Sequence, residues 1–382
     1  MIKLLTIIGA RPQIIKSAAL SRSIKNKFAN QIHEVIVHTG QHYDDNMSQV
    51  FFDELDIPNP NYNLNAGSGS HGKQTAAMID GIEEILLIEK PNCIVLYGDT
   101  NSTLAGAIAA SKIQVPIVHV EAGLRSFNKS MPEEINRIIC DRVSTLLFSP
   151  TKAGFNNLLK EGFKKNNPGP YSFDNPKIYH CGDVMFDNSL FFSSLTNHST
   201  TVLSDNNLEI GKYVLVTIHR NNNTDEPERL NALFRSINKI SNENKIKIIL
   251  PLHPRTNKLL AQNVSSELYS TIKTNERIKI IPPVSFLEMI ALEKNAFLIM
   301  TDSGGVQKEA CFFKKPCIIL RSETEWLELV ESGSAVLVDA DEDKIINAFL
   351  HFKQSKKLKF PNLFGDGNAA GFICKEILKN IK

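Results

Sequence analysis

Six cysteines, Cys93, Cys140, Cys181, Cys311, Cys317 and Cys374, include no CxxC pair and no close cluster. That spacing argues against a disulfide framework or a zinc site and predicts reduced, mostly buried thiols. Charge of one sign is equally scarce, since 43 Lys and Arg face 41 Asp and Glu for a net of +2. Without a broad basic field, neither a nucleic-acid backbone nor an anionic membrane is expected as a partner, and a small molecule is. No apolar run is long enough to span a bilayer. The opening residues Ile2, Lys3, Leu4 and Leu5 give way to polar ones with no charged leader or cleavage site, so cytoplasmic residence is expected. Metal-ligand spacing such as HExxH and the GxSxG nucleophile elbow are missing too, and no metal is expected.

What is present is a succession of short Ile- and Val-rich runs alternating with amphipathic stretches. KLLTIIG, EVIVHTG, CIVLYGD, PIVHVEAG and TLLFSPT read as buried parallel strands. Segments 74–89 and 102–111 carry the three-to-four-residue apolar spacing of helices packed on a sheet. At 382 residues, two domains are the starting expectation. The alternation weakens at EGFKKNNPGPYSFDNP, a loop composition in which the linker is placed. It restarts with KIYHCGD, YVLVTIHR, IKIILPLHP, RIKIIP, FLIMTDSGG, PCIIL and SAVLVD. The expected fold class is α/β, with two doubly wound Rossmann-like domains facing a central cleft. The first takes 1–170 plus 366–382, where a final helix crosses back, and the second takes 171–365.

Ligands of open α/β sheets bind beyond the carboxyl ends of the strands, so residues just after each apolar run are the candidates. GARPQIIK follows the first run and offers Gly9 for a tight turn, amides at a helix start, Arg11 and Lys16, a set that suits a diphosphate. An ordinary strand-to-helix turn with two surface cations explains it equally well. Asp99 in GDTNST, Glu121 in HVEAGLRS and Glu133 in MPEEINR are acids at or soon after strand ends. Gathered carboxylates fit proton removal from carbon and its return. The neighbouring Glu134 reads instead as a first-turn acid that stabilises the helix dipole. In the second half, runs end in His219 and Arg220 and in His253, the latter read as a structural hydrogen-bonder. TDSGGVQKEA sets Ser303, Gly304 and Gly305 at a helix start, an anion seat, with Glu309 further on to suit ribose hydroxyls.

GARPQIIK, TGQH, GDT, HVEAGLR, PEEINR, FSPT, the HR of TIHR, TDSGGVQKEA and GDGNAA stand in this order along nearly the whole chain. Together they resemble the non-hydrolysing UDP-N-acetylglucosamine 2-epimerases, whose fold is the two-domain glycosyltransferase-B type. The resemblance implies elimination of UDP with loss of the carbon 2 proton, a glycal intermediate, and re-addition of UDP in the opposite configuration, without a redox cofactor. It implies Asp99, Glu121 and Glu133 as catalytic carboxylates and His219 beside the diphosphate. Arg11, Lys16 and Arg137 would hold charge, and Ser303, Gly304, Gly305 and Glu309 would bind UDP. A homodimer and a role in surface polysaccharide precursors follow from the same likeness.

Family members acting on UDP-N-acetylglucosamine typically read GTRPE where this chain has GARPQ, and GHRREN where it has IHRNNN. They read TTERPE around ETEWLE, so Trp326 stands where Arg is usual. These departures, and QHYDDNMSQVFFDEL, resemble the branch that epimerises UDP-2,3-diacetamido-2,3-dideoxyglucuronate. A UDP-sugar glycosyltransferase of the same fold is the rival reading.

Overall fold

The computed structural model describes residues 1–40, 57–355 and 357–381, without the side chains of 196–199; the QHYDDNMSQVFFDEL segment lies outside them. Its described residues form two compact units, Met1–Asn188 with Asn362–Lys382 and Ser189–Pro361. Each is a parallel sheet clothed in helices. The first sheet comprises β1 (Ile2–Ile8), β2 (Ile32–His38), β3 (Tyr62–Asn63), β4 (Cys93–Tyr97), β5 (Ile117–Val120), β6 (Leu146–Ser149) and β7 (Lys177–His180), in the order β3-β2-β1-β4-β5-β6-β7. The second comprises β8 (Tyr213–Thr217), β9 (Lys247–Pro251), β10 (Ile278–Ile281), β11 (Leu298–Thr301), β12 (Cys317–Ile319) and β13 (Ala335–Leu337), in the order β10-β9-β8-β11-β12-β13. Both orders reverse direction once, the signature of a doubly wound fold.

The strands form where they do because they are covered on both faces. Leu4, Leu5, Ile7 and Ile8 of β1 and all five residues of β4 are fully buried, as are Tyr213, Val214, Leu215 and Val216 of β8. Continuous apolar runs of this kind have no solvated face and so show no alternation. Helix termini are set by local chemistry: Thr100, Thr151, Ser265, Ser285 and Asp341 each accept a backbone N–H in the following first turn. All six cysteines are unpaired, five of them buried and Cys181 half-buried. Burial pushes the thiols of Cys93 and Cys374 up to about 12 and that of Cys311 up to about 11. Among the described residues, no helix is long and apolar enough to cross a membrane.

The first unit runs past the linker placed at 160–174. That segment is a loop within the unit, folded on itself by Asn167, whose Nδ2 donates to Asn175 Oδ1 at 2.9 Å, and by Asn175, which donates to the carbonyls of Pro168 and Pro170 at 2.8 and 2.9 Å. KIYHCGD, expected in the second sheet, is β7 of the first, paired in register with β6 from Leu146–Lys177 to Ser149–His180. Phe148 and Tyr179 stack across that pair at 4.9 Å. The chain leaves the first unit inside the helix Val184–Ser199 and re-enters it at Asn362. Its return is tied by backbone contact: Asp183 N donates to Phe364 O at 2.9 Å. A β-carbon on Gly182 would come 2.8 Å from that same carbonyl, which leaves the position to glycine at φ +87°.

The last helix, Ala369–Asn380, then lies against the first sheet, with Phe372 edge-on to Phe148 and Tyr179 at 6.3 and 5.7 Å. Asp187 caps it from a distant part of the chain, accepting from Ala369 N at 3.1 Å and Ala370 N at 2.8 Å. We expect Asp187→Ala to cost about 1–2 kcal/mol and to make residues after 361 the first site of limited proteolysis, with Asp187→Asn intermediate. Unchanged proteolysis of the alanine variant would show that the rings alone hold this helix.

Candidate active site

Order reverses between β1 and β4 in the first unit and between β8 and β11 in the second. At such switch points the connections depart on opposite faces, and the carboxyl ends of the two strands open a crevice. In the first unit β4 turns at Gly98 with φ +63°. A β-carbon there would stand 3.0 Å from Lys16 Nζ and 3.2 Å from Glu121 Oε2, so the bare α-carbon is what lets these two side chains meet. They are in direct ion contact, both largely buried. Asp99 pairs with Arg137 at 2.5 Å, and Arg137 also reaches Glu134 at 2.9 Å. Burial alone would lower the Arg137 pKa, but the carboxylates of Asp99, Glu134 and Glu121 outweigh it and raise it. Lys16, Asp99, Glu121 and Arg137 thus share one crevice with alternating charge.

Glu121 sits at φ +76°, a left-handed conformation that costs a residue other than glycine about 1–2 kcal/mol. Its N–H and that of Ala122 both donate to Phe148 O at 3.0 Å, which holds the turn. Beneath lies a fully buried ionic network. His119 Nε2 donates to Gly98 O at 2.8 Å and Nδ1 to Asp141 at 2.7 Å, while Asp141 also takes Arg125 at 2.7 Å and Gly123 N at 3.1 Å. Burial would lower the His119 pKa, but Cys140 and Asp141, through charge and hydrogen bonds, hold it well above the usual value. The ring is an imidazolium that braces the turns carrying Gly98 and Glu121.

Two acids at the start of the helix Pro132–Arg142 divide their roles. Glu133 is exposed, whereas Glu134 is buried and accepts from Ser126 N at 2.9 Å and Phe127 N at 3.1 Å. Glu134 therefore fixes a loop and Arg137 rather than acting only on the helix dipole. Arg11 is exposed at the first turn of its helix. The amides of Gly9 and Ala10, read from the sequence as part of a diphosphate seat, both donate to Gln13 Oε1, at 2.9 and 3.2 Å. Gln13 Nε2 donates in turn to Tyr97 O and Thr103 Oγ1, each at 3.0 Å, joining the ends of β1 and β4.

The second unit is organised by Asp302, which follows β11 and is fully buried. Its carboxylate accepts from His219 N at 3.0 Å, Arg220 N at 3.0 Å and Asn223 Nδ2 at 3.1 Å, and pairs with His219 Nδ1 at 3.0 Å. Burial would raise its pKa, but His219, Arg220 and Asn223 together lower it. Anchored so, His219 keeps its side chain about half exposed, at 49 %. Ser303 is the N-cap of the helix Gly304–Phe312, whose opening amides and dipole favour an anion. Trp326 Nε1 and Arg321 Nη1 both lie 3.8 Å from where a β-carbon of Gly304 would be. Arg321 is forked onto Glu325 at 3.0 and 3.1 Å, and Lys308 Nζ lies 4.5 Å over the Trp326 ring. Glu309 is buried further along the same helix. His253 serves as an N-cap, accepting from Arg255 N at 3.3 Å.

Residues 25–378 match the family described as UDP-N-acetylglucosamine 2-epimerase. This chain belongs to that family. It is 48 % identical over 380 residues to a UDP-N-acetylglucosamine 2-epimerase homolog of Methanococcus maripaludis, covering 99 % of this chain and 100 % of that one. It is 44 % identical over 377 residues to the UDP-2,3-diacetamido-2,3-dideoxy-D-glucuronate 2-epimerase of Pseudomonas aeruginosa, covering 99 % of each. The crystal structure of Methanocaldococcus jannaschii UDP-GlcNAc 2-epimerase in complex with UDP-GlcNAc and UDP superposes with a TM-score of 0.84 at 44 % identity over 99 % of both chains. The glycosyltransferase-B type of fold and the isomerase class follow from these matches.

Within this epimerase framework, Asp302, Gln13 and the His119–Asp141 pair are the site residues that the sequence reading passed over. Asp302 carries the signal that singled out Glu121, an acid immediately after a buried run, but the glycines beside it drew the reading to the helix start. We expect His119→Ala to cost about 3–5 kcal/mol by leaving Asp141 and Gly98 O short of a buried donor. Because the folded pKa of His119 is raised, its contribution is full below about pH 6.5 and wanes as pH rises through the folded value. Urea melts of both proteins at pH 5.5 and 8.5 check this; a gap that does not narrow at the higher pH contradicts the imidazolium.

Proposed function

We propose that this enzyme inverts carbon 2 of a UDP-activated 2-acetamido sugar by eliminating and re-adding UDP, without hydrolysis. The observation that carries the reading is the crevice of alternating charge formed by Lys16, Asp99, Glu121 and Arg137 at the first switch point. Inversion requires a base to take the carbon 2 proton as the carbon 1–oxygen bond breaks and its electron pair leaves with UDP. The glycal so formed regains a proton at carbon 2 from the other face while UDP re-forms the bond at carbon 1. No electron acceptor and no water is consumed.

Asp99, Glu121 and Glu133 are the acids proposed for proton exchange, with Lys16 offsetting the charge of Glu121. Arg11, Lys16 and Arg137 offset charge that develops as UDP departs, where stabilisation matters most. His219 is assigned to the departing diphosphate, the amides of Gly304 and Gly305 with the Ser303 hydroxyl to phosphate oxygens, and Glu309 to the ribose; the Ser303 N–H itself donates to Thr301 Oγ1 at 2.9 Å. Cytoplasmic residence, a homodimer and service to surface polysaccharide synthesis belong to the same proposal.

The acetamido sugar of first choice is UDP-N-acetylglucosamine with its manno epimer. The second reading, UDP-2,3-diacetamido-2,3-dideoxyglucuronate, is supported by the departures at GARPQ, IHRNNN and Trp326; the 44 % identity to the Pseudomonas aeruginosa enzyme equals that to the Methanocaldococcus jannaschii enzyme and favours neither sugar. Proton NMR of the two nucleotide sugars side by side decides: conversion of one to a two-isomer mixture identifies the substrate, and conversion of neither refutes both choices.

In deuterated water and without any acceptor, the wild-type enzyme is expected to place deuterium at carbon 2 while returning intact UDP-sugar. Stoichiometric free UDP, or no exchange, rejects the mechanism. Glu121→Gln is expected to lower kcat by roughly 10²–10⁴ while retaining UDP-sugar binding. Turnover within a few-fold of wild type removes Glu121 from the chemistry.

A further inference from the structure

We propose that Arg321 is a further phosphate-binding residue of this enzyme and that Glu325 is the positioning residue that aims it at the opening of the helix Gly304–Phe312. The inference rests on the reading of that helix start as the seat of the UDP phosphates. Gly304, the first residue of the helix, has no β-carbon, and the place that one would take is a cradle bounded by three polar atoms. Glu325 Oε2 lies 3.6 Å from it, and Arg321 Nη1 and Trp326 Nε1 each lie 3.8 Å from it. A second observation marks the same turn of helix. Gln307 is fully buried, its Oε1 accepts from Thr324 Oγ1 at 2.6 Å, and its Nε2 meets no acceptor among the described residues.

The loop that carries these atoms is pinned along its length. It leaves β12 with Leu320 N donating to Thr301 O at 2.9 Å, and Arg321 O accepts from Asp339 N at 3.1 Å. Thr324 joins it to Gln307 and accepts from Trp326 N at 3.1 Å. Within the loop, Arg321 Nη2 and Nη1 fork onto Glu325 Oε1 and Oε2 at 3.0 and 3.1 Å, and both side chains are largely buried. The fork takes two of the five N–H groups of the guanidinium, and Arg321 has no other side-chain partner among the described residues. A planar cation held along one edge keeps its remaining donors in a fixed direction, as a phosphate oxygen requires.

The atom nearest the cradle is nevertheless a carboxylate oxygen, which by charge alone repels a phosphate. Burial would raise the Glu325 pKa, but the hydrogen bonds and charge of Arg321, with Arg220 adding to them, lower it. Glu325 is therefore ionised. Its charge weakens phosphate binding while its grip on Arg321 strengthens it, and the second effect outweighs the first. Because the two effects have opposite signs, removing the charge separates them.

The test is binding of UDP and of uridine to the full chain, UDP by calorimetry and uridine by ligand-detected NMR, read as the ratio of the two affinities. Wild type should prefer UDP, and Arg321→Gln should lose roughly tenfold to a hundredfold of that preference. Glu325→Gln should lose part of it as well, although it takes a negative charge away from the seat. A higher preference in Glu325→Gln overturns the positioning role, and so does a wild-type ratio in Arg321→Lys, which keeps the charge without the fork. A purely structural part for Arg321 would weaken both ligands alike and leave the ratio unmoved, which overturns its contact with phosphate.

Gly304→Val, whose β-carbon fits the cradle but whose branches fill it, checks the seat itself. If that variant keeps the preference, the phosphate seat fails and this proposal with it. If it loses the preference while Arg321→Gln does not, only this proposal is overturned. Should Arg321→Gln fail to fold by stranding the Glu325 carboxylate, the double variant Arg321→Gln with Glu325→Gln removes both charges at once. It should lose the same preference, and a wild-type ratio refutes the idea.

Discussion

Lys16 and Glu121 meet across the bare α-carbon of Gly98, and the first unit is arranged around that contact. Three strand ends must converge for it: β1 delivers the helix that carries Lys16, β4 turns at Gly98, and β5 leads into Glu121. Each end is braced separately. Gln13 ties the β1 turn to Tyr97 at the end of β4, the charged His119 holds the Gly98 carbonyl, and Phe148 holds the strained backbone of Glu121. The crevice is thus rigid because opposite charges, worth little in water, are held where solvent screening is weak.

The second unit meets the same topological demand with a different device. There a single buried carboxylate, Asp302, gathers the amides that follow β8 and leaves His219 projecting. Paired side-chain charges organise the first switch point, whereas one buried carboxylate holding main-chain amides organises the second. That division suits chemistry in which acids move a proton in one place and a polyanion is received in another.

Much of this was legible because parallel strands buried on both faces are written as unbroken Ile and Val runs. Every run read from the sequence is a strand, and the candidates that follow them lie at carboxyl ends. β3, only two residues long, carries no such signal. KIYHCGD was read as a strand but given to the wrong sheet, since a Pro- and Gly-rich loop before it looks like a linker whether or not Asn167 and Asn175 fold it up. Glu133 and Glu134 differ by one helical step, about 100° of rotation. Only the packed helix decides which of them turns inward, and it is Glu134. The bracing residues escaped notice because their partners are remote in sequence: Asp302 acts on His219, and His119 on Gly98.

The cysteines offer one last consequence. Cys93, Cys140, Cys311, Cys317 and Cys374 are packed as fillers, and Cys181 directs its Sγ to the carbonyls of Ser149 and Gly182 at 3.5 and 3.2 Å. Burial raises the thiol pKa of Cys93, Cys181, Cys311, Cys317 and Cys374 and shuts solvent away from Cys140, so the native fold gives maleimides and iodoacetamides little to find. A reporter cysteine engineered at an exposed position would therefore be labelled nearly alone, without first stripping the six natural thiols from the interior.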